Sequence, residues 1–237
     1  MAATEFNRWA PQVMRVLHTL ALLLLSLCAC MVCINAFASS TVNEQEESQI
    51  IQSIAPFAKR EGKTLFLNLY NKRRIKLTDT GTCGVPENCL IYRFLGISPD
   101  RNFFVVEGMG YESRTVFWFA RNSGLRHEVF AKPEISPDGK SIITANPSEQ
   151  GSNNGVFIWE LRRDRLINKL HFEPTDYALY SFVRWEGANK VTLKKFTYAD
   201  KSVCPSAQFM EFFVTVNRNG TQWFLNESNG LKEVFCQ

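Results

Sequence analysis

Past residue 38 the chain carries two histidines, His127 and His171, and a scatter of acids that could serve catalysis. A Ser/His/Asp site would need one histidine beside an activated serine, and no Gly-x-Ser-x-Gly elbow occurs. Both histidines fall in segments that read as outer strands, where an imidazole is an ordinary polar residue. Carboxylate pairs for glycoside hydrolysis can be drawn from Glu107, Glu112, Glu173 and Asp176, as from any β protein of similar acidity. Asp100 and Asp138 invite a metal reading, but each closes a Ser-Pro-Asp turn, where an aspartate caps its own backbone. The Asp-x-Asp-x-Asp-Gly loop of calcium sites is missing. No catalytic residue, cofactor or metal ligand is therefore assigned.

The start of the chain sets the compartment. Arg8 and Arg15 precede an apolar run from Leu20 through Ala36, and Ala36-Phe37-Ala38 offers a small-x-small cleavage site. Together these read as a secretory signal peptide over 1–38, giving a periplasmic or secreted protein after cleavage near Ala38. An uncleaved anchor is the alternative, since Val16 to Ala38 is long enough to cross a bilayer. Arginines before the run and Glu44, Glu46 and Glu47 after it export the remainder either way. Leu27-Cys28-Ala29-Cys30 also makes a rough lipobox.

Cys28, Cys30 and Cys33 leave with the leader, and the four that remain are Cys83, Cys89, Cys204 and Cys236. An even number in an exported domain predicts disulfides, with three possible connectivities. Cys83 and Cys89 bracket a turn-prone loop that could close on itself, which would leave Cys204 with Cys236. A zinc site fits less well, because the spacings are not C-x₂₋₄-C and no histidine is near in sequence. Without Arg8, Arg15 and Glu5 the counts fall to 25 basic and 22 acidic residues, a net charge of +3. That excess is too small to argue for nucleic acid.

Three loops could serve recognition. Gly108–Ser113 carries Tyr111 and Glu112, Asn146–Gly155 carries Asn153 and Asn154, and Thr175–Tyr180 carries Asp176, Tyr177 and Tyr180. Glycine, asparagine and tyrosine suit adaptable contacts. Arg162, Arg163 and Arg165 read as a solvated basic turn, and Trp118, Trp159, Trp185 and Trp223 as core.

The elements that must hold these loops are mostly strands. Residues 39–63 form an N-terminal extension in which Ile50, Ile51, Ile54 and Phe57 recur at helical spacing until Pro56 interrupts, predicting one short helix. From Thr64 the period becomes that of strands, and a β domain spans 64–237. Val116–Phe119, Val156–Trp159 and Phe212–Val216 each lead through a polar turn into a second strand. The Asn219-Gly220 turn suits the positive φ angles of a type I′ hairpin. Ile97-Ser-Pro-Asp100, followed by Phe103–Val106, returns 38 positions later as Ile135-Ser-Pro-Asp-Gly139, followed by Ile142-Ile143.

Ser136-Pro-Asp-Gly-Lys140, a strand, and then Val156-Phe-Ile-Trp-Glu-Leu161 resemble a blade of the WD40 and TolB-like β-propellers. Ser98–Asp100 with Val116–Phe119 resembles a second copy, in which Arg101 stands where the glycine would be. The layout is also similar to exported Gram-negative bacterial proteins of unassigned activity. The resemblance implies blade-like units whose equivalent loops gather on one face. About 170 residues hold at most about four blades of ~40–45 residues. The fold expected is all-β, a small or incomplete propeller-like stack of about four antiparallel units, with a β-sandwich as the alternative. The function expected is a non-enzymatic exported binding protein for an unknown protein or cell-envelope component. A small exported hydrolase of glycan or peptide is the other reading.

Overall fold

The computed structural model describes residues 44–81, 89–111, 113–148, 153–227 and 233–237, and the leader assigned to 1–38 lies outside them. The chain divides into two units, Met1–Gln49 and Ile50–Gln237. An α-helix covers 44–53, and residues 44–49 are the described part of the first unit. Every strand among the described residues lies in the second unit. Its sheet I joins β1 (Ala58–Glu61), β2 (Thr64–Asn68) and β3 (Arg74–Thr78). Sheet II joins β4 (Leu90–Ile97), β5 (Phe103–Gly110), β6 (Ser113–Ala120) and β7 (Arg126–Glu128). Sheet III joins β8 (Glu134–Ile135), β9 (Ser141–Asn146), β10 (Gly155–Arg162) and β11 (Arg165–Phe172). Sheet IV joins β12 (Ala178–Trp185), β13 (Lys190–Tyr198), β14 (Phe209–Asn219) and β15 (Gln222–Asn226), with β16 (Val234–Cys236) returning to pair β14. All pairings are antiparallel between consecutive strands, apart from that return.

The protein is thus all-β, with four antiparallel sheets, none closed into a barrel. One boundary differs from the sequence expectation. The N-terminal extension contributes β1, because Ala58–Glu61 pairs with Leu67–Thr64 and so extends sheet I before Thr64. Ile50, Ile51 and Ile54 pack with Phe57 on the sheet I core, as the helical spacing predicted.

Hydrophobic patterning explains the order of the sheets. Alternate residues of a strand face opposite sides, so a strand covered on both sides must be apolar throughout. Phe103, Val116, Trp118 and Ala120 of sheet II share a core with Ile142, Phe157 and Trp159 of sheet III. Their neighbours Phe104, Val106 and Phe119 turn the other way, into a core with Leu65 and Leu67 of sheet I. Sheet III repeats the arrangement, with Ile143, Val156 and Ile158 entering the core of sheet IV. Sheets II and III are sandwiched, while sheets I and IV each keep an outward face.

The Ser-Pro-Asp turns act as caps. Asp100 Oδ1 accepts from Ser98 Oγ at 2.5 Å and Asn102 N at 3.1 Å, while Ser98 Oγ accepts from Phe103 N at 3.0 Å. In the second copy Asp138 Oδ1 accepts from Ser136 Oγ at 2.7 Å and Lys140 N at 3.1 Å. Arg101 takes φ 60° and Gly139 φ 69°, so the arginine adopts the left-handed turn conformation that glycine supplies in the other copy. The carboxylates are consumed by their own turns. The Cys204–Cys236 disulfide, with Cα atoms 5.6 Å apart, anchors β16 beside the loop after β13. Cys89 is also disulfide-bonded, and Cys83 lies outside the described residues.

Candidate functional site

Edge strands β11 and β15 and the loop after β11 enclose a cleft of about 630 Å³. Leu170, Phe172 and Pro174 line one side, Trp223 and Leu225 the other. Glu173, Thr175 and Asp176 of the loop contribute polar groups, and others come from the core-facing side of sheet IV. Alternation along β13 turns Val191, Leu193 and Lys195 inward, and register sets Lys195 between Tyr180 and Phe212. The lysine therefore lies among aromatic rings, with Nζ 5.7 Å from the Tyr180 centroid and 5.9 Å from that of Phe212.

Glu227, just past β15, satisfies both neighbours. Its Oε2 lies 2.9 Å from Lys195 Nζ, and its Oε1 accepts the Tyr180 hydroxyl at 2.5 Å. Burial, then the hydrogen bond and negative charge of Glu227, raise the Tyr180 phenol far above its ordinary value. The charge of Asp176 adds to the shift, so Tyr180 stays a neutral donor. The arrangement is a fixed polar floor beneath apolar walls. Glu173, which lines the cleft, has Oε1 2.8 Å from His171 Nε2.

The pair is asymmetric, and that yields a prediction. The Lys195 side chain is 9% exposed and that of Glu227 39%. Glu227→Ala strands a buried cation and should cost about 2 kcal/mol, reduced from a fully buried pair because water reaches the glutamate. Lys195→Met leaves a carboxylate that water can solvate and should cost less than about 1 kcal/mol. Urea midpoints of the two variants measure the difference, and equal losses would contradict the asymmetry.

The predicted recognition residues are divided among several places. Asp176 and Tyr180 line the cleft. Asn154 is nearby in the fold, donating Nδ2 to Ala178 O at 2.9 Å, while Asn153 accepts from Asn146 Nδ2 at 3.0 Å. Tyr177 packs its ring against Tyr198 and Phe209, on the outward side of sheet IV. Tyr111 stands at the β5–β6 turn of sheet II and does not line the cleft, and Glu112 lies outside the described residues. Of the candidate carboxylates, Glu173 and Asp176 both line the cleft, while Glu107 is held in sheet II by Arg93 at 2.8 Å. His127 accepts from Leu166 N at 3.4 Å, and burial foremost lowers its pKa.

Lys195 and Glu227 were missed by sequence reasoning. The strand Val191-Thr-Leu-Lys-Lys-Phe-Thr-Tyr198 carried the signal, since its alternation sets Lys195 on the face of Val191 and Leu193. No protein-family model matches the chain, and no curated protein matches it.

Proposed function

We propose that this chain is an exported, non-enzymatic binding module built of WD40/TolB-like repeats, which holds a protein or cell-envelope component in the cleft between β11 and β15. The leader over 1–38 and the cysteine usage argue for a periplasmic or secreted location. The observation that carries the binding reading is the floor of the cleft. Tyr180, Lys195 and Glu227 engage one another inside apolar walls, leaving a preorganised polar surface and no uncommitted acid–base pair among them. Equivalent turns in successive repeats support the family reading.

Thr175, exposed at the mouth, allows a test that leaves the floor intact. Wild-type chain and Thr175→Trp are each used to capture partners from a periplasmic extract and are incubated with a panel of glycans and peptides. A partner held by the wild type and lost by the variant supports the cleft. Identical capture by both, or none, overturns it. Cleavage of a panel member by the wild type replaces it with the hydrolase reading.

A further inference from the structure

Sheet IV does not end like sheet I. On β13 and β14, Val191, Leu193, Val214 and Val216 face the core shared with sheet III. Their neighbours Phe196, Phe209 and Phe213, with Leu179 of β12, face the other way and enter none of the three cores among the described residues. Phe196 and Phe209 stack with centroids 5.0 Å apart, and Tyr198 lies 5.4 Å from Phe209 on the same row. Tyr198 is 57% exposed and Phe235, opposite Glu211 on β16, is 53% exposed. On sheet I the outward face instead carries Lys59, Glu61, Arg74 and Lys76, and its one ring, Phe66, lies beneath the Arg74 guanidinium at 5.1 Å. A stack of sheets needs polar terminal faces to remain solvated. Sheet I has one, whereas sheet IV sets a row of rings among Thr192, Lys194, Glu211 and Thr215.

We infer that the outward face of sheet IV is a self-association surface, on which a second copy of this chain seats the same face about a two-fold axis. Three observations select that occupant. The rings stand nearly parallel, with interplanar angles of 23° and 19°, so each covers its neighbour's face and presents an edge outward. A sugar needs an open ring face, whereas ring edges pack into another aromatic sheet, as Phe172 and Tyr180 meet at 90° in the core. The charges on the face are self-complementary. Lys194 and Glu211 pair at 3.1 Å beside the rings, so a two-fold rotation can set the lysine of each copy near the glutamate of the other. Head-to-tail seating on sheet I would bury Lys59 and Lys76 against phenylalanine and would propagate without closing. The five strands of sheet IV, of 8, 9, 11, 5 and 3 residues, at ~3.4 Å per residue and about 4.8 Å between strands, give a face of roughly 600 Å² per copy. Two such faces reach the ~1,200 Å² at which specific interfaces begin. The ring row is separate from the cleft, since none of Phe196, Tyr198, Phe209 and Phe213 lines it.

Sedimentation of the exported chain over a range of concentrations tests the inference. The wild type should dimerise in the micromolar range, and Lys194→Glu, which gathers four carboxylates at the interface, should weaken association by about tenfold or more. The charge swap Lys194→Glu with Glu211→Lys should restore it. Tyr198→Glu, at an exposed position, gives the same loss if Lys194→Glu fails to fold. A wild type that stays monomeric, or dimers indifferent to all three changes, would overturn the inference. Binding of the wild type to anionic vesicles or to oligosaccharides, abolished by Tyr198→Glu without any dimer, would overturn it too.

Discussion

Replacing Arg121 with alanine should destabilise the chain by about 4 kcal/mol, while Arg121→Leu should cost less than about 1 kcal/mol. Arg121 follows β6 and is 1% exposed. Its guanidinium carbon lies 4.4 Å from the Phe57 centroid, 4.4 Å from Tyr70 and 5.0 Å from Phe104. Nη1 donates to Arg101 O at 2.9 Å, and Nε and Nη2 have no hydrogen-bond partner among the described residues. Ring faces thus stand where a carboxylate would be expected, and burial is the main influence lowering its pKa. Alanine loses the cation–π contacts and leaves a cavity between the aromatic rings. Leucine loses the contacts but fills space and removes an ill-compensated charge. The next repeat supplies the precedent, because Leu161 N donates to Lys140 O as Arg121 N donates to Asn102 O, both at 2.8 Å. Urea unfolding of the two variants decides the matter, and coincident midpoints would dismiss the aromatic cage as a source of stability.

Gly155→Ala should cost a similar amount, about 4 kcal/mol, from backbone strain and an unrelievable clash. Gly155 opens β10 with φ +153°, and an added Cβ would lie 2.1 Å from the Phe172 carbonyl oxygen and 3.2 Å from Glu173 Cα. Those are backbone atoms of the adjoining strand, so no side chain can rotate away. The strand end must move, and Phe172 and Glu173 line the cleft. The variant should therefore lose any cleft ligand along with stability. Gly139→Ala is the control. It has φ +69° with nothing within 4 Å of its Cβ, so only the left-handed backbone penalises it, by about 1 kcal/mol. Thermal unfolding midpoints that fall equally in the two variants would show that the close approach at Gly155 is relieved at little cost.

Much of the fold was legible because it is written in near-neighbour patterns. Ser136-Pro-Asp-Gly139 announces a turn by local chemistry, and Phe103-Phe-Val-Val106 and Val156-Phe-Ile-Trp159 announce strands by apolar continuity. Their continuity also says that both faces are covered, which separates the middle sheets from the alternating Phe209–Asn219 of sheet IV. The β1 strand was illegible, since Ala58-Lys-Arg-Glu61 has no apolar alternation and is fixed by pairing with β2. The cleft was half visible. Asp176 and Tyr180 lay in a loop and strand start already suspect, but Glu227 joins Lys195 across 32 residues, a contact set by register. At Arg121 only tertiary packing reveals the rings around the side chain.

The succession of sheets, each made of consecutive strands and each meeting the next face to face, bears on how the chain is made. A polypeptide delivered amino end first can complete sheet I before sheet II emerges, because almost no strand waits for a distant one. Each new sheet then finds a formed apolar wall and brings a bare one of its own. The growing molecule carries an uncovered apolar surface at its growing end throughout synthesis, passing from Trp118 in sheet II to Ile158 in sheet III. Strand β16 and the Cys204–Cys236 bond are the exceptions, since they need the last residues of the chain. Oxidation of the Cys204 and Cys236 thiols to that bond therefore follows the synthesis of all four sheets.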